Sequence, residues 1–262
     1  MEALSAWFAG LRSGSANREV ITVIGSGGKT SLIWLLAKTA ALGGECRSVL
    51  VSPTTRMLVP PREAGLWDHF FEGPDRCQAS AAPSTGWRAA SGITLAGLVD
   101  TSAGKLKALP EAALAALVPG YDLVLLEGDG SRTLPLKAWA DFEPVVPDYT
   151  GLTVGILPLW PLGRGVSEDL VHRLSLFTVL SGAAPGEVLN LDHLVRVITG
   201  RGNARGLFAA ARGDRVLFFN QVEDEAGVDM ARQMVSRLPP SFRSSLRAII
   251  AGSVRQDRVF AL

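Results

Sequence analysis

The sequence is poor in metal- and redox-type side chains: two cysteines, Cys46 and Cys77, and three histidines among 262 residues. It has no Cys-x-x-Cys pair, and neither cysteine has a histidine at ligand spacing. This argues against a disulfide framework and a structural zinc site, and for two thiols in a reducing compartment. An excess of either charge is also missing: 26 Lys and Arg stand against 25 Asp and Glu, a net charge of +1. That balance gives no global pull toward nucleic acid or an anionic membrane, so neither is expected as a partner. No apolar run approaches the roughly 18 residues of a membrane span. The most apolar stretches, 121–126 and 151–162, are too short or are broken by Pro158 and Pro161. Residues 1–12 show neither a basic n-region nor a long apolar h-region, so no signal peptide is expected and the cytoplasm is the expected location.

Apolar material is plentiful. Hydrophobic residues make up 47% and charged residues 19%, which excludes a chain too polar to offset its ordering entropy. The 28 glycines and 15 prolines follow no period, which excludes a collagen-like chain. Short β-branched or Leu-rich runs at 20–24, 48–52, 122–127, 153–157, 216–220 and 248–251 predict buried strands. Helical patterns at 30–42, 110–117, 171–180, 191–199 and 225–238 fall between many of them. Near-continuous apolar strands alternating with helices predict an α/β fold of three layers, a mainly parallel sheet with helices on both faces. Residues 93–109 read as an antiparallel excursion turning at 101–104, and 60–92 as the most loop-like region. The expected organisation is one domain over residues 1–262, with a helical elaboration across 166–211. Trp67, Phe70 and Phe71, placed in that loop, leave a homodimer contact open against simple core packing.

The strongest motif is Gly25-Ser26-Gly27-Gly28-Lys29-Thr30-Ser31, which follows a predicted strand and opens a predicted helix. That is the context of a phosphate-binding P-loop, so the fold is expected to be P-loop NTPase-like. Glycines let backbone N–H groups converge on phosphate oxygens, and the helix N-terminus adds partial positive charge. Lys29 is expected at the β- and γ-phosphates of ATP or GTP, with the Thr30 hydroxyl on Mg²⁺. The first glycine of the commonest Walker A spacing is replaced by Val23, and the spacing resembles the variant loop of the Mur ligases instead.

A second motif is Glu127-Gly128-Asp129-Gly130-Ser131, directly after a predicted strand. Ligands of open α/β sheets bind beyond the carboxyl ends of strands. Acids there are Walker B-like and would hold Mg²⁺ or orient a nucleophile. Two positions apart in extended chain, Glu127 and Asp129 share a face. Thr30 and Asp129 are expected at the metal, together with Glu127, which would also position water or the acceptor. Thr54, Thr55 and Arg56 end another strand and read as contacts for a γ-phosphate or a second substrate. Lys137 and Glu143 flank a Pro-punctuated loop, 134–147, that could cover the site. His172-Arg173 reads more readily as a surface or packing pair. Asn220-Gln221-Val222-Glu223 resembles a degraded guanine-reading Asn-Lys-x-Asp motif, with Asn220 a candidate nucleotide contact.

Taken together, segments 20–36, 52–57, 104–109 and 121–147, the His172-Arg173 pair and residues 220–223 resemble the YqeC family. The most specific piece is the series Glu127-Gly128-Asp129-Gly130-Ser131, Leu134-Pro135-Leu136-Lys137 and Glu143-Pro144-Val145-Val146-Pro147. The chain departs from the family pattern at Arg56, where Lys is usual, and at Trp139, where Pro is usual. The resemblance implies a P-loop fold, nucleotide binding and an accessory role in maturing a selenium-dependent molybdenum hydroxylase. That enzyme or its maturation proteins would be the partners. Three activities fit these residues: Mg²⁺-dependent nucleoside triphosphate hydrolysis or phosphoryl transfer, a nucleotide-gated binding module or metallochaperone with negligible turnover, and a Mur-like ligase.

Overall fold

The computed structural model describes residues 2–12, 19–44, 46–73, 88–102 and 104–262. In chain order the elements are α1 (Leu4–Arg12), β1 (Glu19–Gly25), α2 (Lys29–Leu42), β2 (Ser48–Pro53), β3 (Arg56–Leu58), β4 (His69–Glu72), β5 (Gly92–Asp100) and β6 (Lys105–Lys107). Next come α3 (Glu111–Leu117), β7 (Leu123–Glu127), β8 (Leu136–Lys137), β9 (Leu152–Pro158), β10 (Val171–His172), α4 (Leu174–Ser181) and α5 (Leu191–Thr199). The chain finishes with β11 (Asp214–Asn220), α6 (Glu225–Arg237), α7 (Pro240–Ser244), β12 (Ala248–Ser253) and β13 (Arg258–Ala261).

Among the described residues one sheet carries eleven strands, in the order β13-β12-β11-β9-β1-β7-β2-β5-β6-β3, with β4 also on β5. The strands from β12 through β5 pair in parallel, while β13 and β6 add antiparallel margins. β1 sits centrally between β7 and β9. It is buried along its length after Glu19, as a strand covered on both faces must be. Its side chains alternate: Ile21 and Val23 join a core with Leu4 and Phe8 of α1 and Leu32 and Ile33 of α2. Val20 instead packs with Leu114 and Leu117 of α3. Ile24 packs with Phe177 of α4, Leu194 of α5 and Ala231 of α6. The period of two along the strand thus separates two helical layers, giving a three-layer α/β fold.

All six expected strands are present, as β1, β2, β7, β9, β11 and β12. The antiparallel excursion is present as β5 and β6, although the first half of β5 runs parallel to β2. One expectation needs correction. The supposed loop region contains β4, which pairs in parallel with β5, so Phe70 and Phe71 lie on a strand. Trp67 packs against the core. Cys46 is buried in the core below α2, whereas Cys77 lies outside the described residues. No helix among the described residues is long and apolar enough to cross a membrane.

Candidate functional site

The carboxyl ends of β1, β2 and β7 open onto a cavity of about 1260 Å³. Residues 27–31, Glu127, Arg173 and Gln221 are among those lining it. The glycine loop that begins its wall depends on missing side chains. Gly25 has φ of 101°, and a Cβ there would stand 2.2 Å from the Ile156 carbonyl oxygen. Gly28 has φ of 130°, and its Cβ would stand 2.3 Å from Asn220 Nδ2. Only glycine tolerates both the dihedral and the approach. Gly28 then caps α2 with no side-chain hydrogen bond, leaving a helix N-terminus at the cavity wall.

Around the loop lies a cluster of ionisable groups whose charges alternate. Lys29 Nζ donates to the Gly25 carbonyl oxygen at 2.8 Å and stands 3.4 Å from Asp129 and 3.9 Å from Glu127. Lys137 Nζ donates to Asp129 Oδ2 and to Glu143 Oε2, both at 3.0 Å, and to the Gly130 carbonyl oxygen at 2.6 Å. Arg173 donates to Glu143 in turn. Three cations therefore meet three carboxylates, the condition for burying either sign. Burial pushes Glu143 up, but Arg173 and Lys137 together hold its carboxyl below its ordinary value.

The two acids of the second motif are not equivalent. Glu127 lines the cavity and accepts from the Thr30 hydroxyl at 2.8 Å. Burial pushes its carboxyl above the ordinary value, against the pull of Lys29 and Thr30. Asp129 has no exposed surface. Both its oxygens accept from the Gly25 N–H at 3.1 Å, and Oδ2 also accepts from Trp139 Nε1 at 2.6 Å. Both acids approach Lys29, but of the two only Glu127 is among the residues lining the cavity. Thr30 and Glu127 supply hard oxygen donors at the cavity, a set that suits Mg²⁺. Asp129 holds the glycine loop from behind.

Other expected contacts also turn away from the cavity. Ser26 donates its hydroxyl to the Pro135 carbonyl oxygen at 2.8 Å. Thr54 donates to the Val145 carbonyl oxygen at 2.7 Å, tying β2 to the loop 134–147. Asn220 Nδ2 donates to the Gly27 carbonyl oxygen at 2.7 Å, and its Oδ1 accepts from the Val254 N–H at 3.0 Å. Its amide is thus used in supporting the loop. Glu223 engages Ser253 and Arg255. Thr55, Ser31 and Arg56 do line the cavity.

His172 and Arg173, read as a surface or packing pair, are at the cavity as well. The two-residue ladder of β10 with β8 puts His172 beside Lys137. Burial, then the neighbouring Arg173, Lys137 and Arg132, hold the His172 pKa down at about 4. The sequence reading also missed the turn formed by Ser131, Arg132 and Thr133, and the exposed ring of Phe142 at the rim. A signal for that turn was the flanking Gly128 and Gly130. Arg132, Thr133, Arg173 and Gln221 all have left-handed φ, between 52° and 65°, and all four line the cavity. Non-glycine residues held there are costly, and such strain concentrates at functional sites.

Comparison with known proteins adds one family. The sequence model described as "YqeC protein" matches residues 21–175, which hold the glycine loop, both acids and the Lys137–Glu143 loop. A relative from Escherichia coli (strain K12), described as "Uncharacterized protein YqeC", is 33% identical over 188 residues. The matched region covers 68% of this chain and 67% of that relative.

Proposed function

The chain belongs to the YqeC family, and from that premise we propose that it binds a magnesium complex of ATP or GTP in the cavity and hydrolyses or transfers the γ-phosphoryl group. The observation that carries this reading is the strand–glycine turn–helix unit from β1 to α2. Residues 27–31 line the cavity, and Thr30 is already hydrogen-bonded to Glu127. An accessory role in maturing a selenium-dependent molybdenum hydroxylase is part of the proposal and comes from the family resemblance alone.

Each residue has a distinct task. The backbone N–H groups at the start of α2 receive phosphate oxygens. Lys29 leaves the Gly25 carbonyl oxygen and moves to the transferring phosphoryl group. The Thr30 hydroxyl and the Glu127 carboxylate hold the metal. Bound Mg²⁺ supplies charge neutralisation on the phosphate oxygens. Asp129, Ser26 and Asn220 position the loop and touch no ligand.

A second reading, a nucleotide-gated binding module, draws on one observation. Lys29 and Lys137 share Asp129, and Lys137 and Arg173 share Glu143, so the glycine loop and the loop 134–147 are electrostatically joined. A nucleotide that recruits Lys29 alters that joint and so the outer loop.

Calorimetric titration of Mg-ATP and Mg-GTP into the wild type and Lys29→Ala tests the proposal. Micromolar binding of one nucleotide, lost in the variant, supports it. No binding of either by folded wild type refutes it. Phosphate release well below about 10⁻² s⁻¹ despite tight binding favours the gated module.

A further inference from the structure

The cavity exceeds what one ligand needs: about 1260 Å³ against the roughly 300–1,000 Å³ common for small-molecule sites. Its charges are also unevenly satisfied. Glu127 is taken by Thr30 and lies near Lys29, while Glu143 is taken by Lys137 and Arg173. Arg56, Lys105 and Arg132 line the same cavity, yet none has a carboxylate within ion-pair distance among the described residues.

We propose that Arg56, Lys105 and Arg132 form a second anion site in this cavity, for a phosphorylated small molecule bound beside the nucleotide. The inference deepens the reading above and rests on it for the identity of the first ligand. Arg56 and Lys105 sit on the antiparallel ribbon of β3 and β6, where Leu58 is opposite Lys105 and Arg56 opposite Lys107. β3 follows β2 after two residues, and β2 is two strands from β1, about 10 Å across the sheet. The ribbon therefore supplies positive charge from a part of the fold separate from the glycine loop.

Two further details fit a phosphate on this wall. Thr55, which directly precedes Arg56, has a buried hydroxyl oxygen with no hydrogen-bond partner among the described residues. A buried hydroxyl without a partner is uncommon, and its residue lines the cavity next to Arg56. Arg132 and Thr133 are consecutive residues with φ of 52° and 65°, a strained turn that keeps Arg132 at the cavity. Arginine guanidinium groups make the planar, multidentate contacts that phosphate groups take.

The test titrates inorganic pyrophosphate into the full chain saturated with the magnesium complex of a non-hydrolysable ATP or GTP analogue. The double variant Lys105→Gln/Arg132→Gln and the variant Lys29→Ala are run alongside, with thermal melts to check folding. The expected result is pyrophosphate binding to the nucleotide-loaded protein that weakens roughly ten-fold or more in the double variant, with nucleotide affinity retained. Pyrophosphate that binds only by displacing nucleotide, or equally well in the double variant, overturns the second site. If neither nucleotide binds, the earlier reading fails on its own. The second site then stands if pyrophosphate binding survives Lys29→Ala and is lost in the double variant, and falls if Lys29→Ala removes it.

Discussion

Asn220, the last residue of β11, holds the carbonyl oxygen of Gly27 through its Nδ2 at 2.7 Å, 193 positions away in the chain. The same amide takes the Val254 N–H on its oxygen, so one side chain spans the glycine loop and the end of β12. Replacing it strands a half-buried acceptor and a buried donor at once. Asn220→Ala is expected to lower stability by about 1–3 kcal/mol and to weaken nucleotide binding without abolishing it. Urea unfolding and calorimetry on the same variant measure both. Unchanged nucleotide affinity would show that the loop keeps its form without this support.

Gly28 presents the complementary constraint. A methyl group there meets Asn220 Nδ2 at 2.3 Å while φ stays at 130°. Gly28→Ala is expected to cost about 1–3 kcal/mol through strain and to reduce nucleotide affinity at least ten-fold. A thermal melt and a titration decide the point. Wild-type affinity in this variant would mean that the turn relaxes with no effect on phosphate binding.

Asp129 is expected to matter for folding more than for metal binding. It is fully buried between the Gly25 N–H, Trp139 and Lys137. Asp129→Ala leaves Lys137 short of one of its two carboxylates and should cost about 3–5 kcal/mol. In a chain of this size that is a fall in melting temperature on the order of 10 °C. Glu127→Gln should melt much closer to the wild type but lose magnesium dependence. The reverse pattern would return Asp129 to the metal.

His172 makes stability depend on pH in a defined window. Its folded pKa is about 4 against an ordinary 6.5, lowered by burial and the adjoining cations. Between those values the unfolded chain binds a proton that the folded chain rejects, so stability falls as pH drops from about 6.5 to about 4. His172→Gln should flatten that part of the profile. Urea unfolding at several pH values, wild type beside variant, gives the difference. Parallel profiles would assign the acid sensitivity to other groups.

Side-chain pattern alone decides much of the sheet. Apolar runs such as residues 20–24 and 216–220 have little to do except become buried strands, and both did. The glycine loop was legible because its geometry excludes other residues. β8 and β10, two residues each, are too short to show a period, so the ladder that brings His172 and Arg173 to Lys137 was invisible. Asp129 reads from the sequence as a metal ligand, because the partners that occupy its carboxylate, the Gly25 N–H, Lys137 and Trp139, come together only in the folded chain. Trp139 gave no warning that its indole would donate to that carboxylate, since the contact depends on how the loop 134–147 folds back.

The central position of β1 also governs how the molecule is assembled in time. Glu19 pairs with Leu123, and Ile21 with both Leu125 and Leu152, so both neighbours of this strand are made a hundred or more residues after it. Pairings so distant in sequence must close long loops before any contact compensates, and parallel sheets of this kind form slowly. At about 5–20 residues per second of synthesis, the apolar segment 19–25 waits on the order of ten seconds for its partners. Throughout that interval it is a sticky, unpaired strand, and the emerging chain is expected to depend on chaperones until β9 is complete.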